Sequence, residues 1–224
     1  MTSSSDTLLP TVEISTGDSP QLAIIWLHGL GADGHDFEPI VPELDLPFPA
    51  RFVFPHAPVR RITVNGGMEM RGWYDILGFG MNVRQDAAGI GVSAAAVTQL
   101  IDREIERGLT ASQIVLAGFS QGGAIALHTA LRESRPLGGV LALSTYLALG
   151  DTLAAERSAA NAGVPIFMAH GSADPLLPLA LAEASRRTLE SLGYAVDWHV
   201  YPVPHSICAE EIAAIAVWLA KRVG

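Results

Sequence analysis

The clearest chemistry in this chain sits in Gly118-Phe119-Ser120-Gln121-Gly122. A serine hydroxyl is a weak nucleophile until it is held clear of competing contacts beside a base. Here the serine follows an apolar run, Ile114 to Ala117, and precedes a segment of helical period, Gln121 to Arg132. That context predicts a tight strand-to-helix turn whose flanking positions must be small, and Gly118, Gly122 and Gly123 meet the requirement. Such a turn lifts the hydroxyl above the end of its strand. It also aims the backbone N–H of Gln121 at the same point from a helix N-terminus, where the dipole favours a developing oxyanion. The bland alternative is an incidental serine in a glycine-rich turn; strand, helix and glycines together count against it.

Attack by such a serine needs a base and an orienting acid, expected downstream in the order acid, then histidine. The histidines beyond Ser120 are His128, His170, His199 and His205. His128 falls within the helical segment after the turn, His170 precedes the acid candidate, and His199 lies inside a strand-like run. His205 stands in Tyr201-Pro202-Val203-Pro204-His205-Ser206, a proline-punctuated loop after the last strand-like run, at the sheet edge where Ser120 is expected. It is the expected base. Asp174, in Gly171-Ser172-Ala173-Asp174-Pro175 after the Val164 run, is the expected acid, although Asp before Pro is also a common turn former. Asp151 leaves the wrong strand and Asp197 lies inside one. Ser120 would attack an acyl carbon, His205 would shuttle the proton, and Asp174 would fix the imidazole tautomer before water releases the acyl group.

A second oxyanion donor is expected from the loop after an earlier strand, and His28-Gly29-Leu30-Gly31-Ala32-Asp33-Gly34 directly follows Leu22 to Leu27. The candidate donor is the N–H of Leu30. His28 reads as a structural hydrogen-bonding residue at a strand end. Cys208, within one helical turn of His205, reads as a small core residue rather than a second nucleophile.

These groups must be carried by a frame. Runs at Leu22 to Leu27, Phe52 to Phe54, Ile114 to Ala117, Val140 to Leu143, Val164 to Ala169 and Ala195 to Tyr201 are mostly unbroken apolar stretches, as strands covered on both faces should be. Segments of helical period at Asp86 to Arg107, Gln121 to Arg132, Pro178 to Leu192 and Ser206 to Arg222 alternate with them. The pattern predicts an α/β architecture: one mostly parallel central sheet with helices on both faces, in a single domain spanning residues 1–224. The glycine- and aromatic-rich stretch Ala57 to Arg84 has no clear period and reads as a long functional loop walling the site. Between the Val140 and Val164 strands there is room for little more than one helix, so no large cap domain is expected and the site should be open.

Bulk composition narrows the partners. A net charge of −9 leaves no basic stripe for phosphates, so nucleic acid is not an expected partner. No apolar window approaches the ~18 residues of a membrane span, which excludes integral membrane association. Residues Met1 to Pro10 carry neither a basic residue nor an apolar core of a leader, and the lone Cys208 fits a reducing compartment; cytoplasmic location is the expectation.

With these residues in place the chain resembles the phospholipase/carboxylesterase family of α/β hydrolases, which includes bacterial carboxylesterases and acyl-protein thioesterases. The likeness runs over nearly the whole chain. It rests on His28 to Gly34, Arg71-Gly72-Trp73-Tyr74-Asp75-Ile76, Gly118 to Gly123, Leu143-Ser144-Thr145-Tyr146-Leu147, His170 to Pro175 and His205-Ser206. The resemblance implies the α/β-hydrolase fold, the triad Ser120, Asp174 and His205, and an oxyanion hole from Leu30 and Gln121. It implies no metal and no cofactor, an apolar acyl groove bordered by Trp73, Ile76 and Leu176, and, since family members are often dimers, a homodimer. The family often has glycine where this chain has Thr145 and Pro204; Thr145 is expected to add bulk near the groove and Pro204 to stiffen the histidine loop. The leading expectation is a serine carboxylesterase acting on small-molecule or lipid-like esters of short to medium chain. A lysophospholipase or acyl-protein thioesterase is the alternative, and a non-catalytic binding protein of the same fold is the alternative of another class.

Overall fold

The strand Leu22–Leu27 shows how the sequence builds the sheet: all six residues are apolar and buried, and their side chains alternate between two separate cores. Leu22, Ile24 and Trp26 enter one core, whereas Ala23, Ile25 and Leu27 enter the other. The computed structural model, which describes residues 8–78 and 84–223, extends this pattern across the molecule.

The elements in chain order are β1 (Thr11–Ser15), β2 (Leu22–Leu27), α1 (Ile40–Leu44), β3 (Ala50–Pro55), β4 (Val59–Ile62), β5 (Met68–Arg71), α2 (Ala87–Glu106) and β6 (Ile114–Phe119). They continue with α3 (Gln121–Arg132), β7 (Gly139–Leu143), α4 (Gly150–Glu156), β8 (Ile166–Gly171), α5 (Leu179–Ser191), β9 (Val196–Tyr201) and α6 (Ala209–Ala220). Seven strands form one sheet in the order β1-β3-β2-β6-β7-β8-β9. Only β1 runs antiparallel to its neighbour; the other pairings are parallel. One core joins the sheet to α2 and α3 through Val97, Leu100, Ile101, Ile125 and Leu127. The opposite core joins it to α1 and α6 through Ile40, Leu44, Ile215, Trp218 and Leu219. Each fully buried Leu or Ile contributes about 1.5–3 kcal/mol, so the sheet is fixed from both faces.

The long stretch after Ala57 differs from the expected loop. Its first part is a two-stranded antiparallel hairpin in which Val59 pairs with Arg71 and Ile62 with Met68. VRRI does not alternate, and MEMR alternates over only four residues that are exposed or half-buried, too short a run to stand out, so backbone pairing is what reveals them. Residues 79–83 of that stretch lie outside the described residues. Its far end is tied to α2 by the N-cap Asp86, whose carboxylate accepts from the N–H of Gly89 at 2.9 Å and of Asp75 at 3.0 Å.

Candidate active site

Parallel strands end on one side, and β2, β6, β8 and β9 deliver the expected residues there. Ser120 follows β6 and is the N-cap of α3, with φ 54° and ψ −120°, a conformation that L side chains seldom adopt and that costs about 1–3 kcal/mol. The turn is held by its surroundings. Ser120 N–H donates to the carbonyl of Leu143 at 2.9 Å, tying the turn to β7. A Cβ on Gly122 would sit 2.3 Å from the carbonyl oxygen of Leu27 and 2.5 Å from that of His28, so only glycine lets α3 start this close to the end of β2.

The loops after β8 and β9 carry Asp174 and His205 and are joined to each other. The N–H of Ser172 donates to Tyr201 O at 2.8 Å and that of Ala173 to Val203 O at 3.2 Å. Gly171 makes the approach possible, since a Cβ there would lie 2.3 Å from the carbonyl of Pro204. The outcome is a 2.6 Å hydrogen bond between His205 Nδ1 and Asp174 Oδ2. The other carboxylate oxygen, Oδ1, accepts from the N–H groups of Leu176 and Leu177, each at 2.9 Å. The Asp174 side chain is fully buried and that of His205 is 13% exposed. Burial alone would raise the Asp174 carboxyl; the N–H groups of Leu177 and Leu176 and the ring of His205 outweigh it and hold the pKa below its ordinary value. Asp174 is therefore an anion, an acceptor for the proton on His205 Nδ1, which leaves Nε2 of a neutral ring free to accept one. The His205 ring lies 4.7 Å from the ring of Phe119, the residue preceding Ser120.

The loop after β2 brings Leu30 to the same region. Neither the N–H of Leu30 nor that of Gln121 donates to a backbone acceptor among the described residues, whereas the adjacent Gly31 N–H donates to Arg71 O at 2.8 Å. His28 anchors this loop as a structural residue. Its Nε2 accepts the N–H of Ala57 at 3.1 Å, so Nδ1 must carry the proton shared with Gly29 O at 2.7 Å. Desolvation lowers its pKa, which keeps this tautomer neutral.

Two side chains do work that sequence reasoning missed. Gln121 was singled out for its backbone alone, yet its buried amide clamps the segment after β5: Oε1 accepts from Trp73 N–H at 2.8 Å and Nε2 donates to Tyr74 O at 2.7 Å. A primary amide is the side chain that can pair with both polar groups of a backbone, which was the available signal. His170, set aside as a base, is buried beside the acid; its Nε2–H donates to Leu177 O at 2.8 Å and lies 3.5 Å from Asp174 Oδ2.

The expected groove residues divide. Trp73 is fully buried, its Nε1–H donating to His28 O at 2.8 Å, so it props the loop of Leu30 from beneath instead of offering surface to a substrate. Ile76 is half-buried and Leu176 is 65% exposed, leaving these two with accessible apolar surface. Thr145, expected to crowd the groove, is 1% exposed and points inward. Cys208 is half-buried at the N-cap of α6 instead of lying in the core, and burial pushes its thiol pKa up, the reverse of an activated nucleophile.

A nearly parallel sheet with a strained serine between β6 and α3, and a carboxylate–imidazole pair on the loops of β8 and β9, defines an α/β hydrolase of the serine type. Comparison with known proteins agrees: residues 10–223 match the model of the phospholipase/carboxylesterase family, and the chain belongs to that family. It is 40% identical over 213 residues to acyl-protein thioesterase 1 of Neurospora crassa, covering 89% of this chain and 86% of that protein. To the protein of the same name from Yarrowia lipolytica it is 34% identical over 221 residues, covering 96% and 97%. The crystal structure of acyl-protein thioesterase 2 from Zea mays superposes with a TM-score of 0.86 at 26% identity, covering 96% of this chain and 99% of that one. Among the described residues no helix is long and apolar enough to cross a membrane.

Proposed function

We propose that the protein hydrolyses acyl thioesters, and carboxylic esters of similar acyl groups, through an acyl-enzyme on Ser120. The observation that carries the reading is the 2.6 Å bond from Asp174 to His205, whose ring packs 4.7 Å from that of Phe119, the neighbour of the strained serine. Ser120 Oγ attacks the acyl carbon as its proton passes to His205 Nε2. The carbonyl oxygen becomes an oxyanion received by the N–H groups of Leu30 and Gln121. Collapse breaks the acyl–sulfur or acyl–oxygen bond, and the leaving thiol or alcohol takes the proton from His205. Water then gives a proton to His205 as it attacks the acyl carbon, and collapse releases the carboxylic acid as Ser120 Oγ takes that proton back from His205. Ile76 and Leu176 supply apolar surface for the acyl chain, and no metal or cofactor enters the sequence of steps.

The thioester is placed first because both fungal relatives bear the name acyl-protein thioesterase 1. A second reading is a carboxylesterase of short to medium chains, which the same machinery serves; the family description names carboxylesterases beside phospholipases. Measuring kcat/KM for S-acyl and nitrophenyl O-acyl substrates across acyl lengths decides between them. A preference for long S-acyl groups supports the thioesterase; a maximum at short O-acyl chains with slower thioesters supports the carboxylesterase and rejects the first reading.

A further inference from the structure

Thr145 donates its hydroxyl proton to the carbonyl oxygen of Ser120 at 2.6 Å. That carbonyl belongs to the same peptide group as the N–H of Gln121. The hydroxyl therefore sits at one end of an amide whose other end is the proposed oxyanion donor. We infer that Thr145 is a positioning residue of the oxyanion hole, acting through the Ser120–Gln121 peptide. The inference rests on the reading of Gln121 N–H as an oxyanion donor and gives that donor a support.

Two effects follow from one bond. A peptide group is planar, so fixing its oxygen fixes the direction of its N–H. A hydrogen bond to the oxygen also draws electron density along the amide and makes the N–H a stronger donor; neighbouring bonds in such chains strengthen one another by roughly 10–30%. Among the described residues the Ser120 carbonyl has one other donor, the helical N–H of Ala124, at the longer distance of 3.2 Å.

The threonine is built in rather than resting there. It is 1% exposed. The first turn of α3 packs on it so tightly that a Cβ on Gly123 would lie 2.8 Å from its Cβ and Cγ2. Its β-branch, pressed by that turn, keeps the hydroxyl in one rotamer. The residue before it, Ser144, holds a positive φ of 45° and is fixed by its N–H to Ala169 O at 2.8 Å, so a strained backbone aims the side chain at the elbow. Thr145 thus has the position, the burial and the restricted rotamer that the role requires.

The test compares wild type with Thr145→Val, which removes the hydroxyl at nearly constant shape, and Thr145→Ser, which restores it. Losing a whole oxyanion donor costs about a hundred- to a thousandfold. Weakening one should lower kcat/KM by about three- to tenfold in Thr145→Val, with most activity recovered in Thr145→Ser. Affinity for a trifluoromethyl ketone, whose adduct carries the oxyanion, should fall by the same factor. The Gln121 amide proton of that adduct should move upfield relative to wild type. Equal affinity and equal amide shift in Thr145→Val overturn the inference, as does a Thr145→Ser protein no better than Thr145→Val. Failure of the underlying readings looks different: wild type would form no adduct on Ser120, or form one without a downfield Gln121 amide, and the inference would fall with them.

Discussion

Replacing Asp174 by Asn tests the electrostatic core of the site with the least change in shape. The carboxylate has two distinct sides. Oδ1 accepts two backbone N–H groups, from Leu176 and Leu177, and Oδ2 faces His205 Nδ1. An asparagine that keeps its carbonyl oxygen on the two N–H donors must turn its NH2 toward His205. That forces the imidazole proton onto Nε2, where it blocks acceptance of the serine proton; this wrong-tautomer outcome costs about ten-thousandfold in serine proteases. The flipped amide restores the tautomer but sets NH2 against both N–H groups and loses two bonds, each worth about 1–3 kcal/mol buried. At the lower limit, about 2 kcal/mol, the flipped form is roughly one molecule in thirty. The expected loss in kcat/KM therefore lies between about thirtyfold and ten-thousandfold. Steady-state hydrolysis of a nitrophenyl ester measures it, with far-ultraviolet circular dichroism to show that the fold is kept. A folded Asp174→Asn protein retaining more than about a tenth of wild-type kcat/KM would refute the reasoning.

Other substitutions probe the frame around the site. Gly122→Ala should abolish activity and lower stability by more than about 3 kcal/mol, because the new methyl meets the backbone carbonyls of Leu27 and His28; denaturant melts and ester hydrolysis report both. Gln121→Leu should destabilise by about 2–4 kcal/mol by stranding the N–H of Trp73 and the carbonyl of Tyr74, measured as a shift in the urea midpoint at constant slope. Glu211 is 1% exposed, and burial raises its pKa to about 8, so the folded state binds a proton that the unfolded state releases. Its contribution is then fully present below the ordinary carboxyl range and is lost as pH rises through about 8. Relative to Glu211→Gln, wild type should lose up to about 1.4 kcal/mol of stability per pH unit across that window, and parallel pH profiles of unfolding would contradict this.

The parts of the fold legible in the sequence are those whose residues are apolar for local reasons. Leu22–Leu27 and Gln121–Arg132 appear with the expected ends because one is unbroken apolar and the other is bounded by the elbow and a basic last turn. The strand expected from Val164 starts at Ile166, after Pro165, which lacks the N–H that sheet pairing uses. Strand β1 was missed because an edge strand of sequence TVEIS is short and half-exposed, and α1 because its five residues contain a proline and less than two turns. At the site, Ser120, Asp174 and His205 are singled out by motif, order and loop chemistry, and the structure brings Asp174 and His205 to 2.6 Å of each other. The supports are not singled out. Gln121 and Trp73 lie 48 residues apart, and Thr145 and Ser120 lie 25 apart; their contacts exist only once the sheet has aligned the loops. The family resemblance puts Trp73 at the border of an apolar groove, whereas the ring is fully buried and its N–H holds the carbonyl of His28. The carboxylesterase expectation also moves, since the machinery is common to esters and thioesters and the fungal relatives are named for the latter.

The atom proposed to carry the acyl group is Ser120 Oγ, and its labelling is the most direct test. Incubation with a fluorophosphonate, followed by proteolysis and mass spectrometry, should place one phosphonyl adduct on the peptide containing Ser120. The adduct should be lost in Ser120→Ala and formed far more slowly in Asp174→Asn. An unlabelled wild-type protein, or labelling of Ser120→Ala at the wild-type rate, would contradict the assignment of the nucleophile.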